Sequence, residues 1–437
     1  MSDAALTHSR VLKIAVPIVI SNATVPILGL VDTGVVGQLG QAEPIGAVAI
    51  GALILGSIYW VFGFLRMGTT GLVAQAEGQG DRDEVVALLL RGLVIGAGFG
   101  LLLIIAQWPL FMGAFRVTPA SAEVEEMARG YMAIRIWSAP AAVSIFALTG
   151  WLIALERTGQ VLILQVWMNG LNVVLDFAFV LGFDWGVEGV ALATFIAEWS
   201  GLFLGLWLCR DAFVGAPWMD RARIFAADKL KRMALVNSDI LIRSLLLQSI
   251  FISFMFWAAD LGDVPLAANQ ILMQFLTATA FALDGFAFAV ETLVGQALGA
   301  KNRARLRRAV MLSSIWAGGV SVVMAIGFAV FGTAFVNTMT TAQDVRDLAI
   351  ALLPLMVISP ILGLPSWMLD GIFIGATRTR DMRNMMLIST VAYFAAAVPL
   401  VATFGNTGLW LAMLFSFVVR AATLAVKYPA LERSADA

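Results

Sequence analysis

Twelve stretches of about eighteen or more predominantly apolar residues recur along the chain, each long enough to cross the hydrocarbon core of a bilayer as a helix. They begin near Arg10, Pro44, Asp83, Met127, Gln160, Gly186, Lys231, Pro265, Ala304, Leu348, Asp381 and Thr407. Lipid offers backbone groups no hydrogen-bond partner, so each run must satisfy its own amides, which a helix does. The expected fold is therefore an all-α integral membrane protein. Composition agrees, with 60% hydrophobic and 13% charged residues, about half the charged share of a soluble domain. The segment before Arg10 is short and polar, and Val11 opens a run too long for a signal peptide, so the first helix is expected to remain.

Charge placement orients these spans. Of 28 Lys and Arg residues, twenty fall in the loops and flanks of one side, three (Arg116, Arg129, Arg346) on the other, and five within spans. Cytoplasmic loops collect Lys and Arg, so the rich side reads as cytoplasmic, and an even span count puts both termini there. The run "KNRARLRR" from Lys301 to Arg308 is then a loop signal. It lacks interleaved aromatic residues or a soluble domain, so no nucleic-acid partner is expected.

The chain repeats itself. A constant shift of 221 residues lays "LVAQAEG" (Leu72 to Gly78) on "LVGQALG" (Leu293 to Gly299), "GWLIALERT" (Gly150 to Thr158) on "GIFIGATRT" (Gly371 to Thr379), and Pro44 on Pro265. Each copy holds an even number of spans, so both have the same orientation. The expected organisation is an N-terminal six-helix lobe over 1–210, a cytoplasmic linker over 211–230 and a C-terminal six-helix lobe over 231–437. Two pseudo-equivalent bundles with a site at their interface suit alternating access in a transporter.

Positions that break the repeat are informative because the scaffold does not demand them. Asp32 maps to Ser253, Asn172 to Tyr393, Asp176 to Ala397 and Thr194 to Phe415. Asn172 and Asp176, four apart, share one face of the fifth helix. Asp32 follows Pro26 by six residues, and a proline within a span removes a backbone hydrogen bond and bends the helix. Pro26 is thus a candidate hinge. Two carboxylates brought together in a low-dielectric bundle cannot both ionise cheaply, so the pair holds a proton or captures a small cation such as sodium. The competing reading, simple hydrogen bonding between helices, is the weaker one, because intramembrane acids mark ion pathways. In the second lobe, Asp284 and Glu291 lie seven apart on the eighth helix and Asp370 lies in the tenth; Arg66 is the candidate cation to neutralise one of them. Tyr131, Thr149 and Trp151 are candidate cavity residues.

Several chemistries are absent. There is no GxxxxGK[ST] loop, no HExxH and no CxxC, so neither ATP hydrolysis by the Walker route nor enzyme catalysis is expected, and no cofactor or fixed metal. The lone cysteine, Cys209, forms no intramolecular disulfide, and the lone histidine, His8, anchors no metal cluster. The drive for transport must be an ion gradient.

"FGFLRMGTTGLVAQAEGQGD", "LDGFAFAVETLVGQALGAKNR" and "LDGIFIGATRTRDMRN" resemble the DNA-damage-inducible (DinF) branch of the multidrug and toxic compound extrusion (MATE) family, over essentially the whole chain. The resemblance implies two six-helix lobes in a V shape, and export of amphipathic, often cationic, compounds in exchange for protons or sodium ions from the bacterial inner membrane. It also implies that Asp32, Asn172, Asp176 and Thr194 form the ion site with Tyr131 nearby, that bending at Pro26 accompanies protonation, and that Asp370 resembles a cation-binding acid of another branch. A monomer is expected. The rival readings are a lipid-linked precursor flippase, for which the deep basic residues are few, and a channel or receptor, which the repeat disfavours.

Overall fold

A computed structural model describes residues 6–118, 121–215 and 217–436. Among them twelve helices are long and apolar enough to cross a membrane: His8–Gly37, Ala42–Gln79, Arg82–Ile105, Ala122–Ala154, Thr158–Gly182, Gly186–Leu208, Arg221–Asp260, Asp263–Gly299, Arg303–Met339, Gln343–Gly375, Thr379–Phe404 and Asn406–Arg433. They are numbered one to twelve here in chain order. The eighth and ninth have 37 residues each, about 55 Å at 1.5 Å per residue against about 30 Å of hydrocarbon. Their ends therefore reach the headgroup level or beyond.

The seventh helix starts earlier than expected, so the linker is shorter than 211–230. Asp220 accepts the Arg223 backbone N–H at 3.0 Å and caps a single turn, Arg221–Ile224, ahead of the main helix Ala227–Asp260. That turn is pinned by a buried cation. Arg91 of the third helix donates to the carbonyls of Ile224 and Arg223, both at 2.7 Å, and to Glu84 at 2.8 Å. A guanidinium within a span needs acceptors, and folding the linker back supplies two.

Nearby, Arg157 holds both carboxylate oxygens of Asp211, at 2.8 and 2.5 Å, and this keeps the Asp211 carboxyl below its ordinary range. A depressed carboxylate pKa adds stability above the unfolded value, lost as pH falls through the folded one. The melting temperature should therefore fall on acidification below about pH 4 by less in Asp211→Asn than in the parent. The difference is small because the pair is half exposed.

The repeat is imprinted in the turns. Gly80 and Lys301, Glu156 and Thr377, and Asp184 and Gly405 all have left-handed backbones, with φ of 76° and 51°, 59° and 51°, and 59° and 54°, and each pair is 221 residues apart. The helix ends agree as well. Arg157 N–H bonds Leu152 O at 2.8 Å and Arg378 N–H bonds Phe373 O at 3.0 Å, the six-to-one closure of a helix C-terminus. Asp81 and Asn302 each cap the next helix through the backbone N–H three residues on, at 3.1 and 2.8 Å.

Contacts divide the chain into two units: one comprises the chain up to Val19, Ala74–Gly80 and Ala234–Ala437, the other Ile20–Val73 and Asp81–Met233. These differ from lobes cut at the linker in two places, the first half of helix one and the end of helix two. Glycine explains the second. A Cβ on Gly78 would sit 2.1 Å from the Gln296 carbonyl oxygen, and one on Gly299 would sit 2.1 Å from that of Gln75. Small residues let two helix backbones touch in this way, and the two contacts are repeat-equivalent. Gly299→Ala should cost about 1–3 kcal/mol through overpacking, measured as a lower melting temperature in detergent. Gly319→Ala, with nothing within 4 Å of the added carbon, should not lower it.

Candidate functional site

Helix five is α-helical from Thr158 to Asp176 and widens to a π-helical turn over Phe177–Gly182. Such wide turns commonly accompany functional sites. Asn172 and Asp176 lie one turn apart just before it, both fully buried, and Thr194 faces them from helix six. The Asn172 amide is satisfied at both ends in one orientation. Its nitrogen donates to Asp176 Oδ2 at 3.1 Å and to Asp32 Oδ1 at 3.2 Å, and its oxygen accepts from the Thr194 backbone N–H at 3.2 Å and hydroxyl at 3.0 Å. The opposite orientation would aim a carbonyl oxygen at two carboxylates. Asp32 and Asp176 lie close enough to interact electrostatically. The second oxygen of Asp176 is buried with no hydrogen-bond partner among the described residues.

Helix one runs unbroken from His8 to Gly37 through Pro17 and Pro26. Two polar ties bind it to helix five on either side of Pro26. Asn169 Nδ2 donates to Thr24 Oγ at 2.7 Å on one side, and Asn172 reaches Asp32 on the other. The proline, with no N–H to give, sits between them.

Tyr131 lies close by, but its hydroxyl meets neither carboxylate; it accepts from Arg135 Nη1 at 3.1 Å. Arg135 pairs with Glu198 at 2.7 Å, and the Ser138 hydroxyl donates to the same carboxylate. Tyr59 OH donates to the Arg135 carbonyl at 3.2 Å. Helix four tightens to a 3₁₀ turn over Ile136–Ser138 at this point. Arg135 lies within electrostatic reach of Asp32. Sequence reasoning missed Arg135 and Glu198, although a signal existed: Arg66, Arg91, Arg135, Arg243 and Arg420 are the five cations within spans, and each needs an acceptor.

Asp370 is buried between Arg243, with which it forms a close ion pair, and Arg420 at 3.7 Å, and Arg420 also donates to Ser366 Oγ at 2.8 Å. Asp370 is thus engaged as an ion-pair partner of two arginines other than Arg66, the cation expected to neutralise one of the three acids Asp284, Glu291 and Asp370. Glu291 is buried and Asp284 half-buried on helix eight. Thr149 donates back to the Ile145 and Phe146 carbonyls at 2.9 and 3.0 Å. Trp151 is buried and donates to Val85 O at 3.0 Å, so it packs rather than lines a cavity. His8 accepts from Trp316 Nε1 at 3.1 Å.

The repeat-equivalent positions in the second lobe, Ser253, Tyr393, Ala397 and Phe415, carry no acid. Ser253 and Tyr393 again lie side by side, but Tyr393 and Ala397 are fully buried among apolar side chains including Phe254, Leu409 and Trp410. The polar cluster therefore belongs to one lobe only. Two carboxylates bridged by one amide within a membrane-spanning bundle cannot both ionise cheaply, which suits the pair to hold one proton or one small cation.

The comparisons with known proteins cover the whole of this architecture. The MatE family profile matches residues 17–178 and 240–401, one block within each copy of the repeat. DNA damage-inducible protein F of Escherichia coli is 37% identical over 97% of this chain and 91% of its own length. A probable multidrug resistance protein NorM of Pseudomonas syringae pv. tomato is 26% identical over 92% of this chain and 90% of its own. A solved MATE structure in the bent conformation superimposes with a TM-score of 0.88 at 20% identity, covering 98% of this chain and 97% of the other, and one in the straight conformation with a TM-score of 0.86. Matching both in sequence along nearly its full length and in fold, the chain belongs to the multidrug and toxic compound extrusion (MatE) family, in its DNA-damage-inducible branch.

Proposed function

We propose that this protein is a secondary antiporter of the bacterial inner membrane, with both termini cytoplasmic, that exports amphipathic compounds in exchange for protons or sodium ions. The observation that carries the reading is the Asn172 bridge between Asp32 and Asp176, in a lobe whose repeat partner has no acid at the same positions. The names of the NorM relatives support the substrate class.

A cycle follows. The carboxylate pair takes up the ion while facing outward, and its neutralisation weakens the Asn172 tie between Asp32 and helix five. Helix one then moves about Pro26, with the Thr24–Asn169 bond holding its other half. Inward opening discharges the ion and restores the tie. Because Asn172 points N–H groups at both carboxylates, the site as built suits a shared proton; a sodium ion needs oxygen ligands and would require the amide to turn. The test is drug efflux from proteoliposomes under separately imposed pH and sodium gradients. Efflux that follows neither gradient would refute antiport.

A further inference from the structure

At the Arg303 end of helix nine lies a cavity of about 950 Å³. Lys301, Arg303, Arg305, Arg307 and Arg308 line it, against a single lining acid, Asp436. Glu432 of helix twelve accepts from Arg303 at 2.7 Å and from Arg307, and Asp436 accepts from Arg303 at 3.1 Å. Arg308 donates to Leu6 O at 2.6 Å, which closes one wall. Five cations against two acids leave the cavity strongly positive. The ion pairs also hold the guanidiniums in place rather than letting them swing into water.

A second cavity, about 330 Å³ and almost wholly apolar, lies farther along the same helix; Val310, Ser314, Leu364, Met368, Ile372 and Tyr428 contribute to its walls. Arg303, Arg307, Val310 and Ser314 are spaced four, three and four apart, which is one face of one helix. The rise from Arg303 to Ser314 is about 16 Å. Tyr428 lines the apolar cavity and lies one helical turn before Glu432 on helix twelve, whose carboxylate pairs with Arg303 and Arg307.

We propose that this face of helix nine is a binding site for one anionic phospholipid, its phosphate in the basic cavity and an acyl chain along the apolar groove. Charge selects the headgroup. The groove on the same helix face, beginning where "KNRARLRR" gives way to "AVML", selects a lipid over a soluble phosphate. Basic cavities at the ends of membrane helices favour anionic headgroups.

The test is native mass spectrometry of the full chain released from mixed vesicles of phosphatidylglycerol and phosphatidylcholine. One phosphatidylglycerol should stay bound preferentially. Each basic residue near a membrane surface should contribute about fivefold in affinity, so Lys301→Gln with Arg308→Gln should weaken retention about 25-fold, while Arg380→Gln, outside the cavity, should leave it unchanged. Val310→Trp, which fills the groove, should weaken it without touching the charges. Glu432→Gln removes a competing acid and should strengthen it, a change that a damaged fold would not produce. Equal retention of the two lipids by the parent would overturn the proposal. So would displacement by glycerol phosphate at an affinity matching the lipid, since the site would then be one for soluble anions.

Discussion

Asp32→Asn protein, reconstituted at the parent's density, should build no drug gradient from an imposed ion gradient. The substitution keeps size and hydrogen-bonding capacity, so Asn172 retains a partner and the helix packing survives, but the side chain can no longer take up and release a charge. One pH unit corresponds to about 1.4 kcal/mol, a tenfold concentration ratio for each proton exchanged, and that ratio should fall to unity. Melting temperature and insertion should match the parent. Ser253→Ala, at the repeat-equivalent position, should transport normally, which separates the chemistry of the carboxylate from its place in the fold. Drug accumulation by Asp32→Asn at the parent level in inverted vesicles would remove Asp32 from the coupling mechanism, and with it the role given to the Asn172 bridge.

Asp370→Ala should behave in the opposite way, failing as a protein rather than as a transporter. Its carboxylate is the shared partner of Arg243 and Arg420, all three buried in the second lobe. Removing it leaves two guanidiniums without their counter-ion in a low-dielectric interior, a loss of about 3–5 kcal/mol. Expression in the membrane and melting temperature in detergent should both drop sharply, and Asp370→Asn should drop nearly as far, since an amide carries no charge. Replacing the whole triad with apolar side chains, Asp370→Leu with Arg243→Met and Arg420→Met, should recover much of the loss, as buried charges are often dispensable when removed together. If Asp370→Asn instead melted like the parent and lost only coupling, Asp370 would be a second ion-handling acid.

These two aspartates looked alike in the sequence: each is a lone acid within an apolar run. Asp32 could be singled out because the repeat offers a control, Ser253, and because Asn172 and Asp176 break the same repeat at helical spacing. Asp370 maps to Thr149 and has no acidic or basic neighbour at i±3 or i±4, so nothing local reveals its partners. They lie 127 residues before it and 50 after it, on helices seven and twelve. The same holds for Arg135, whose partner Glu198 is 63 residues away on helix six.

The membrane-spanning fold was legible because its cause is one-dimensional. Burying backbone in lipid requires a run of apolar residues of bilayer length, and a run is visible without any folding. The repeat was legible for a related reason: identical turns need similar residues at a fixed offset, and the left-handed positions at Gly80 and Lys301 or Glu156 and Thr377 show the offset kept in the backbone. Which charge meets which acid was decided only by tertiary packing. Long-range partners depend on how helices are stacked and rotated, information spread over every packing residue and concentrated in none. The sequence alone therefore determined that the chain crosses the membrane twelve times as two copies of one plan, and that one copy carries acids the other lacks. Packing alone decided that Asp32 meets Asp176 through an amide, while Asp370 is held between two arginines.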